Sequence, residues 1–137
     1  QTMIQVKPME DRQEEEKRLR DAGLPAGENR VLLMKDRGEP VGCAIVGLEG
    51  ETLHLRKLSV KEYNFQEKPQ GDTAFYLDTL MRSAASWGED HGAVQIVTDF
   101  PDFYGFLKAR GFETDEARAF TPMSTIVRYE WGGQPLK

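Results

Sequence analysis

Apolar and polar residues alternate from Met3 to Val6 with the period of a half-buried strand, and Pro8 closes the run because proline brings no amide to a ladder. From Asp11 to Ala22 the residues are helix formers. Glu14 and Arg18, and Glu16 and Arg20, are spaced four apart as favourable pairs, yet Leu19 and Ala22 are nearly the only apolar anchors. This predicts a mostly solvated helix, the run Glu14, Glu15 and Glu16 included, stopped by Gly23, Pro25 and Gly27. Three β runs follow: Val31 to Met34, Val41 to Leu48 and Leu53 to Val60. Turn residues separate them at Asp36, Arg37 and Gly38 and again at Glu49, Gly50 and Glu51, so the stretch reads as an antiparallel meander.

Between Asp72 and His91, apolar groups fall at Tyr76, Leu77, Leu80, Met81, Ala84 and Trp87. That is one stripe at helical spacing, with Gly92 as its C-terminal stop. Ala93 to Thr98 is a compact β run, and the intervening helix makes it parallel to an earlier strand. Pro101 opens a further helix that Gly111 ends. Ala117 to Phe120 and Thr125 to Tyr129 read as a final strand pair around Pro122, and residues 131–137 as a frayed tail. The expected fold is α+β (mixed α/β): a central mixed sheet of about six to seven strands flanked by about three helices, in one domain over residues 1–137.

Composition changes this picture little. With 39% hydrophobic and 30% charged residues the chain reads as an ordinary globular protein. The single cysteine, Cys43, gives no disulfide framework, and two separated histidines give no metal-ligand spacing, so no metal is expected. Uncharged runs are too short for a bilayer span, and the N-terminal region, with Lys7, Glu10 and Asp11, lacks an apolar secretory stretch. A cytoplasmic protein with no membrane partner is the expectation. A net charge of −5 works against attraction to a nucleic-acid backbone and is compatible with cationic or neutral acceptors.

The segments "RVLLMKDRGEPVGCAIVGL", with the small Gly42 after its turn, and "AVQIV" followed by "FYGFLKARGF", with Tyr104, Leu107, Gly111 and Phe112, lie in the order strand, helix, meander, long helix, strand, helix, final strands. This arrangement, from Met3 to Glu130, resembles the Gcn5-related N-acetyltransferase (GNAT) family. The resemblance implies acetyl-CoA as acyl donor, with backbone around Leu58, Ser59 and Val60 binding its pantetheine and a loop before the long helix binding its pyrophosphate. The family's loop carries Arg or Gln, two residues, Gly, one residue, then Gly or Ala. Here Lys68, Pro69, Gln70, Gly71, Asp72 and Thr73 fill those places, about three residues later than usual. As a helix N-cap, Asp72 accepts from the same amides that bind phosphate and repels the anion. The segment between the first two strands is also short, which leaves the acceptor side open.

Each candidate has a plainer reading. Gly71 serves a phosphate cradle or an ordinary turn. Tyr104 stands where the resemblance implies a tyrosine that protonates the departing thiolate; a phenol with a pKa near ~10 can donate at neutral pH, and the alternative is core packing. His54 stands where some members carry a base on the fourth strand, and an imidazole near ~6.5 suits that work, but a packed or surface histidine is equally ordinary. Cys43, between Gly42 and Ala44, reads as a small buried hydrophobe, His91 as a helix C-terminal residue, and Asp99 and Asp102 as caps. The implied activity is transfer of an acetyl group from acetyl-CoA to an amine, either a small molecule or a protein N-terminus or lysine. The alternative is a non-catalytic module of the same fold that binds or assembles, and a homodimer through the terminal strands stays open.

Overall fold

In the computed structural model, which describes residues 4–61, 71–98, 104–115 and 118–127, one sheet runs through the molecule. Its strands are β1 (Ile4–Pro8), β2 (Asn29–Asp36), β3 (Glu39–Glu49), β4 (Thr52–Val60), β5 (Gln95–Thr98), β6 (Glu113–Thr114) and β7 (Ala119–Pro122). They lie in the order β1-β2-β3-β4-β5-β7-β6. Every pair is antiparallel except β4 with β5, which is parallel as the intervening helix requires. The helices are α1 (Arg12–Asp21), α2 (Gly71–Asp90), α3 (Tyr104–Lys108) and α4 (Met123–Val127), with a 3-10 turn at Ala26–Glu28. Among these helices none is long and apolar enough to cross a membrane.

The meander closes through tight turns. Asp36 pairs with Glu39 across Arg37 and Gly38, whose φ angles of 55° and 84° are the two positive values that a strongly twisted two-residue hairpin requires. The sheet separates two apolar layers. On one face, Leu19 of α1 packs with Met9, Val31, Cys43 and Ile45. On the other, Leu77, Leu80, Met81, Ala84 and Ala85 of α2 pack against Leu53, Leu55, Leu58 and Val60 of β4 and against Ala44 and Val46 of β3. Neighbouring elements, α2 with β4 and β3 with β4, approach closely at two glycines. A Cβ on Gly88 would lie 2.8 Å from Leu53 Cδ2, and one on Gly42 would lie 2.6 Å from the Ser59 carbonyl oxygen.

Three expectations are corrected. Glu15 is not solvated: it is only 5% exposed, and its Oε2 accepts from Arg30 Nε and the Val31 amide, each at 2.9 Å, which fastens α1 to β2. The proposed strand beginning at Thr125 is instead helix α4 through Val127, because Pro122 ends β7 and the buried Met123 and Ile126 stand three apart, a helical and not a strand spacing. The final hairpin is formed by β6 with β7. The described residues hold four α-helices, against the expectation of about three. The expected helix start at Pro101, the tail 131–137 and the residues Asp99 and Asp102 lie outside the described residues.

Candidate active site

The central feature is the half of β4 that lies beyond its described pairing with β5. Their parallel pairing runs from Thr52↔Gln95 to Leu55↔Thr98. Among the described residues, nothing pairs with the remainder of β4, Arg56 to Val60, on that edge. The opposite edge stays fully paired to β3, with Ala44↔Leu58, Cys43↔Ser59 and Gly42↔Val60. The Lys61 amide donates to the Val41 carbonyl at 2.9 Å. Because donors and acceptors alternate sides along an antiparallel strand, Ser59 also faces β3, while the N–H and C=O of Leu58 and Val60 face the opening. Their side chains are buried in the α2-side core, so these backbone groups are firmly placed.

The last described pair with β5 is followed at once by a β-bulge in β4. Val46 stands opposite Leu55 and Ile45 opposite Lys57, so Arg56 is an extra residue in β4. Its side chain reaches back over Gly47. Nε donates to Asn29 Oδ1 at 2.7 Å and Nη2 to Glu49 Oε2 at 2.9 Å. Asn29, itself buried, is held by a bond from its Nδ2 to the Pro25 carbonyl at 2.9 Å. The carboxyl of Glu49 is held below its ordinary value chiefly by the Arg56 hydrogen bond, with His54 nearby adding to it.

His54 projects from β4 on the face away from α2. Its Nε2 lies 3.7 Å from Glu49 Oε2, and its buried Nδ1 has no hydrogen-bond partner among the described residues. With Thr52, Gln95, Val97, Asp115, Arg118 and Phe120 it lines a cleft of about 260 Å³ beside the β6–β7 hairpin. Cys43, by contrast, is packed among apolar residues on the α1 face, as its neighbours in the sequence suggested. His91 stacks on Trp87 with ring centroids 4.1 Å apart and bonds through Nδ1 to the Trp87 carbonyl at 2.7 Å, which accounts for it at the end of α2.

At the other end of the opening, α2 begins at Gly71 with φ 57°, a conformation that glycine adopts without steric cost. No described atom lies within 4 Å of where a Cβ would stand on Gly71. Asp72 falls inside the first turn and is exposed, not at the N-cap as expected, because the helix starts one residue earlier; Thr73 is half-buried behind it. Tyr76, one turn on, donates to Asp36 Oδ2 at 2.7 Å and so ties the start of α2 to the β2–β3 turn. Lys68 and Gln70 lie outside the described residues. Tyr104 is the first residue of α3. The turn after this helix is fastened to α2 by Arg110, whose Nε donates to Asp78 at 2.7 Å and whose Nη1 donates to the Phe106 carbonyl of α3 at 3.2 Å.

No protein-family model matches the sequence, and no curated protein matches it. Solved structures do match. A GNAT-family protein from Desulfovibrio desulfuricans superposes with a TM-score of 0.59 at 9% identity over 88% of this chain and 99% of that one. The IAA acetyltransferase of Bacillus cereus superposes with a TM-score of 0.66 at 11% identity, covering 88% and 99%. The chain has the GNAT fold. N-acetylglutamate synthase from Neisseria gonorrhoeae, solved with coenzyme A and N-acetyl-glutamate, shares the fold at a TM-score of 0.62 and 12% identity; 90% of this chain matches 36% of that longer one.

The sequence reading placed Leu58, Ser59 and Val60 on one strand and Gly71, Asp72 and Thr73 at one helix start, as the fold has them. It did not single out Arg56 and missed the bulge. The signal was there: Leu53 and Leu55 are two apart, Leu58 and Val60 are two apart, but Leu55 and Leu58 are three apart, so one residue is extra if all four share a face.

Proposed function

We propose that this chain is an N-acyltransferase that moves an acetyl group from acetyl-CoA to an amine by direct attack. The acceptor is a small-molecule amine or a protein N-terminus or lysine. The observation that carries the reading is the edge of β4 that no described residue pairs, where Leu58 and Val60 offer backbone N–H and C=O groups beyond the last described pair, Leu55↔Thr98. Pantetheine is extended and carries two amides, so it can complete such an edge as an added strand does. Among the described residues no atom lies within 4 Å of a Cβ placed on Gly71, which supports close approach of a pyrophosphate to the first amides of α2. Lys68, Gln70, Gly71, Asp72 and Thr73 are the residues assigned to that loop, with Lys61 and Lys68 offsetting the Asp72 charge.

In this reading His54 takes the proton of the acceptor ammonium through water and frees the lone pair. The nitrogen attacks the thioester carbonyl, a C–N bond forms, and the oxyanion accepts from the Val60 N–H. The C–S bond then breaks, and Tyr104 protonates the leaving thiolate. No residue of the chain forms a covalent intermediate.

The second reading is a binding or assembly module of the same fold, and it is favoured by the carboxylate that Asp72 sets in the first turn of α2. Thermal-shift titration with acetyl-CoA and free CoA separates the two. A ligand at a hundred times its dissociation constant stabilises the folded state by ~2.7 kcal/mol. The transferase reading expects a saturable upward shift with both; an unchanged melting temperature at millimolar ligand assigns the chain to the module.

A further inference from the structure

We infer that Arg82 and Arg110 form an anion site on the outer side of α2 that takes the 3′-phosphate of the donor's adenosine. The identity of the anion rests on the acetyl-CoA reading above, whereas the surplus of positive charge does not.

Asp78 holds both guanidinium groups. Its Oδ2 accepts from Arg82 Nε at 2.8 Å and its Oδ1 from Arg110 Nε at 2.7 Å, so each carboxylate oxygen is taken by a different arginine. One negative charge therefore faces two positive ones, in a chain whose net charge is −5. Arg110 alone would neutralise Asp78 and join α2 to the turn after α3; Arg82 supplies the surplus.

Both forks are held in place. Arg82 Nη1 donates to the Ile126 carbonyl at 3.4 Å and Arg110 Nη1 to the Phe106 carbonyl at 3.2 Å. The Arg110 guanidinium carbon lies 3.7 Å from the centre of the Phe106 ring, which fixes its plane. Among the described residues neither Nη2 has a partner. With side chains 28% and 26% exposed, these N–H groups reach the surface but are partly withdrawn from water, where a charge-assisted bond is stronger than one from a fully solvated cation.

Their placement on α2 gives the anion its identity. Gly71, Phe75, Asp78 and Arg82 recur at helical spacing and form one stripe of the helix. The stripe leads from the first-turn amides, to which the pyrophosphate is assigned, to Asp78 about 10 Å along the axis. With Ala74, Ala109 and Arg110, the last three of these residues line a shallow cleft of about 510 Å³. Coenzyme A continues from its diphosphate into a ribose that carries adenine and a 3′-phosphate monoester. That dianion suits two guanidinium forks, and Phe75, 47% exposed in the same cleft, offers a ring on which a base stacks.

The test is calorimetry on the full chain with CoA and 3′-dephospho-CoA, which differ only in this phosphate. Wild type should bind CoA about tenfold or more tightly than dephospho-CoA. Removing either arginine leaves the other neutralised by Asp78. Arg82→Gln and Arg110→Gln should therefore each cut the preference to about threefold or less and leave dephospho-CoA affinity within about twofold. Phe75→Ser should weaken both ligands alike. Equal binding of the two ligands by wild type overturns the site, and this comparison decides even where a substitution unfolds the chain. Arginine variants that weaken both ligands alike overturn it as well, since a merely structural tie would act that way. If wild type binds neither ligand, the acetyl-CoA reading fails. Amide shifts during NMR titration with adenosine 3′-monophosphate and with adenosine then decide the arginines: a response at Phe75 to Arg82 and at Arg110 to the nucleotide alone keeps the anion site, and equal responses overturn it.

Discussion

At the scale of single residues, two carboxylates one position apart on α1 make opposite predictions. Glu15 accepts from Arg30 and from the Val31 amide, and its removal leaves that buried N–H without a partner. Glu15→Ala should cost ~2 kcal/mol, most of it the desolvation of an unmade bond and not the ion pair, since the Arg30 side chain is 41% exposed and screened by water. Glu16 is exposed, so Glu16→Ala should fall within ~0.5 kcal/mol of wild type. Urea unfolding of both variants measures the difference directly; equal midpoints would contradict the burial of Glu15. Tyr104 calls for a kinetic test. If it protonates the leaving thiolate, Tyr104→Phe should lower kcat by about a hundredfold with little change in acetyl-CoA binding. A variant with wild-type turnover removes the acid role.

At the scale of elements, the most extensive helix-to-strand packing is between α2 and β4, and it depends on the absence of a side chain at Gly88. A methyl group there would come within 2.8 Å of Leu53 Cδ2 and 3.1 Å of its Cβ. The Cβ cannot swing away, so relief requires the helix to lift from the strand. Gly88→Ala should therefore destabilise by ~1–3 kcal/mol, although alanine is the better helix former by about 1 kcal/mol. A stabilised variant in thermal or urea unfolding would show that propensity outweighs the contact. Elements of this kind were legible in the sequence wherever period and burial agreed: the α2 stripe from Leu77 to Trp87 and the three meander strands needed no tertiary information. The terminal segment was not, because Thr125 to Tyr129 has β-branched and aromatic residues that favour a strand in isolation. The pairing of Met123 with Ile126 under α2 outweighs that preference. Glu15 was misread for a related reason, since its partner Arg30 lies on another element and no local pattern announces it. Of the candidate site, the strand and the glycine were readable from their order, whereas the bulge required noticing a three-residue step between leucines.

Across the whole molecule, two side-chain tethers sit at the two ends of β3, and their proton equilibria point in opposite directions. At its start, Tyr76 of α2 donates to Asp36; that bond, followed by burial and the neighbouring carboxylates of Asp36 and Asp72, raises the phenol above its usual value of 10.0. At its end, the hydrogen bond from Arg56, followed by the field of His54, lowers the Glu49 carboxyl below 4.5. A raised folded value means that the neutral phenol is favoured by folding, so the Tyr76 contribution is complete below pH 10.0 and is lost as pH rises through the folded value. A lowered folded value means that the carboxylate is favoured by folding, so the Glu49 contribution is present above pH 4.5 and is lost as pH falls through the folded value. The stability of this chain should consequently carry an alkaline limb removed by Tyr76→Phe and an acid limb weakened by Glu49→Gln, each variant leaving the other limb intact. Urea midpoints measured across the pH range for the three proteins test this. Because the tethers hold different elements, the two limbs should also separate in local amide exchange: alkali should loosen the start of α2, and acid should loosen the contact of Arg56 with Glu49. Limbs that both vanish in one variant would mean that a single global transition, and not two local tethers, governs the pH response.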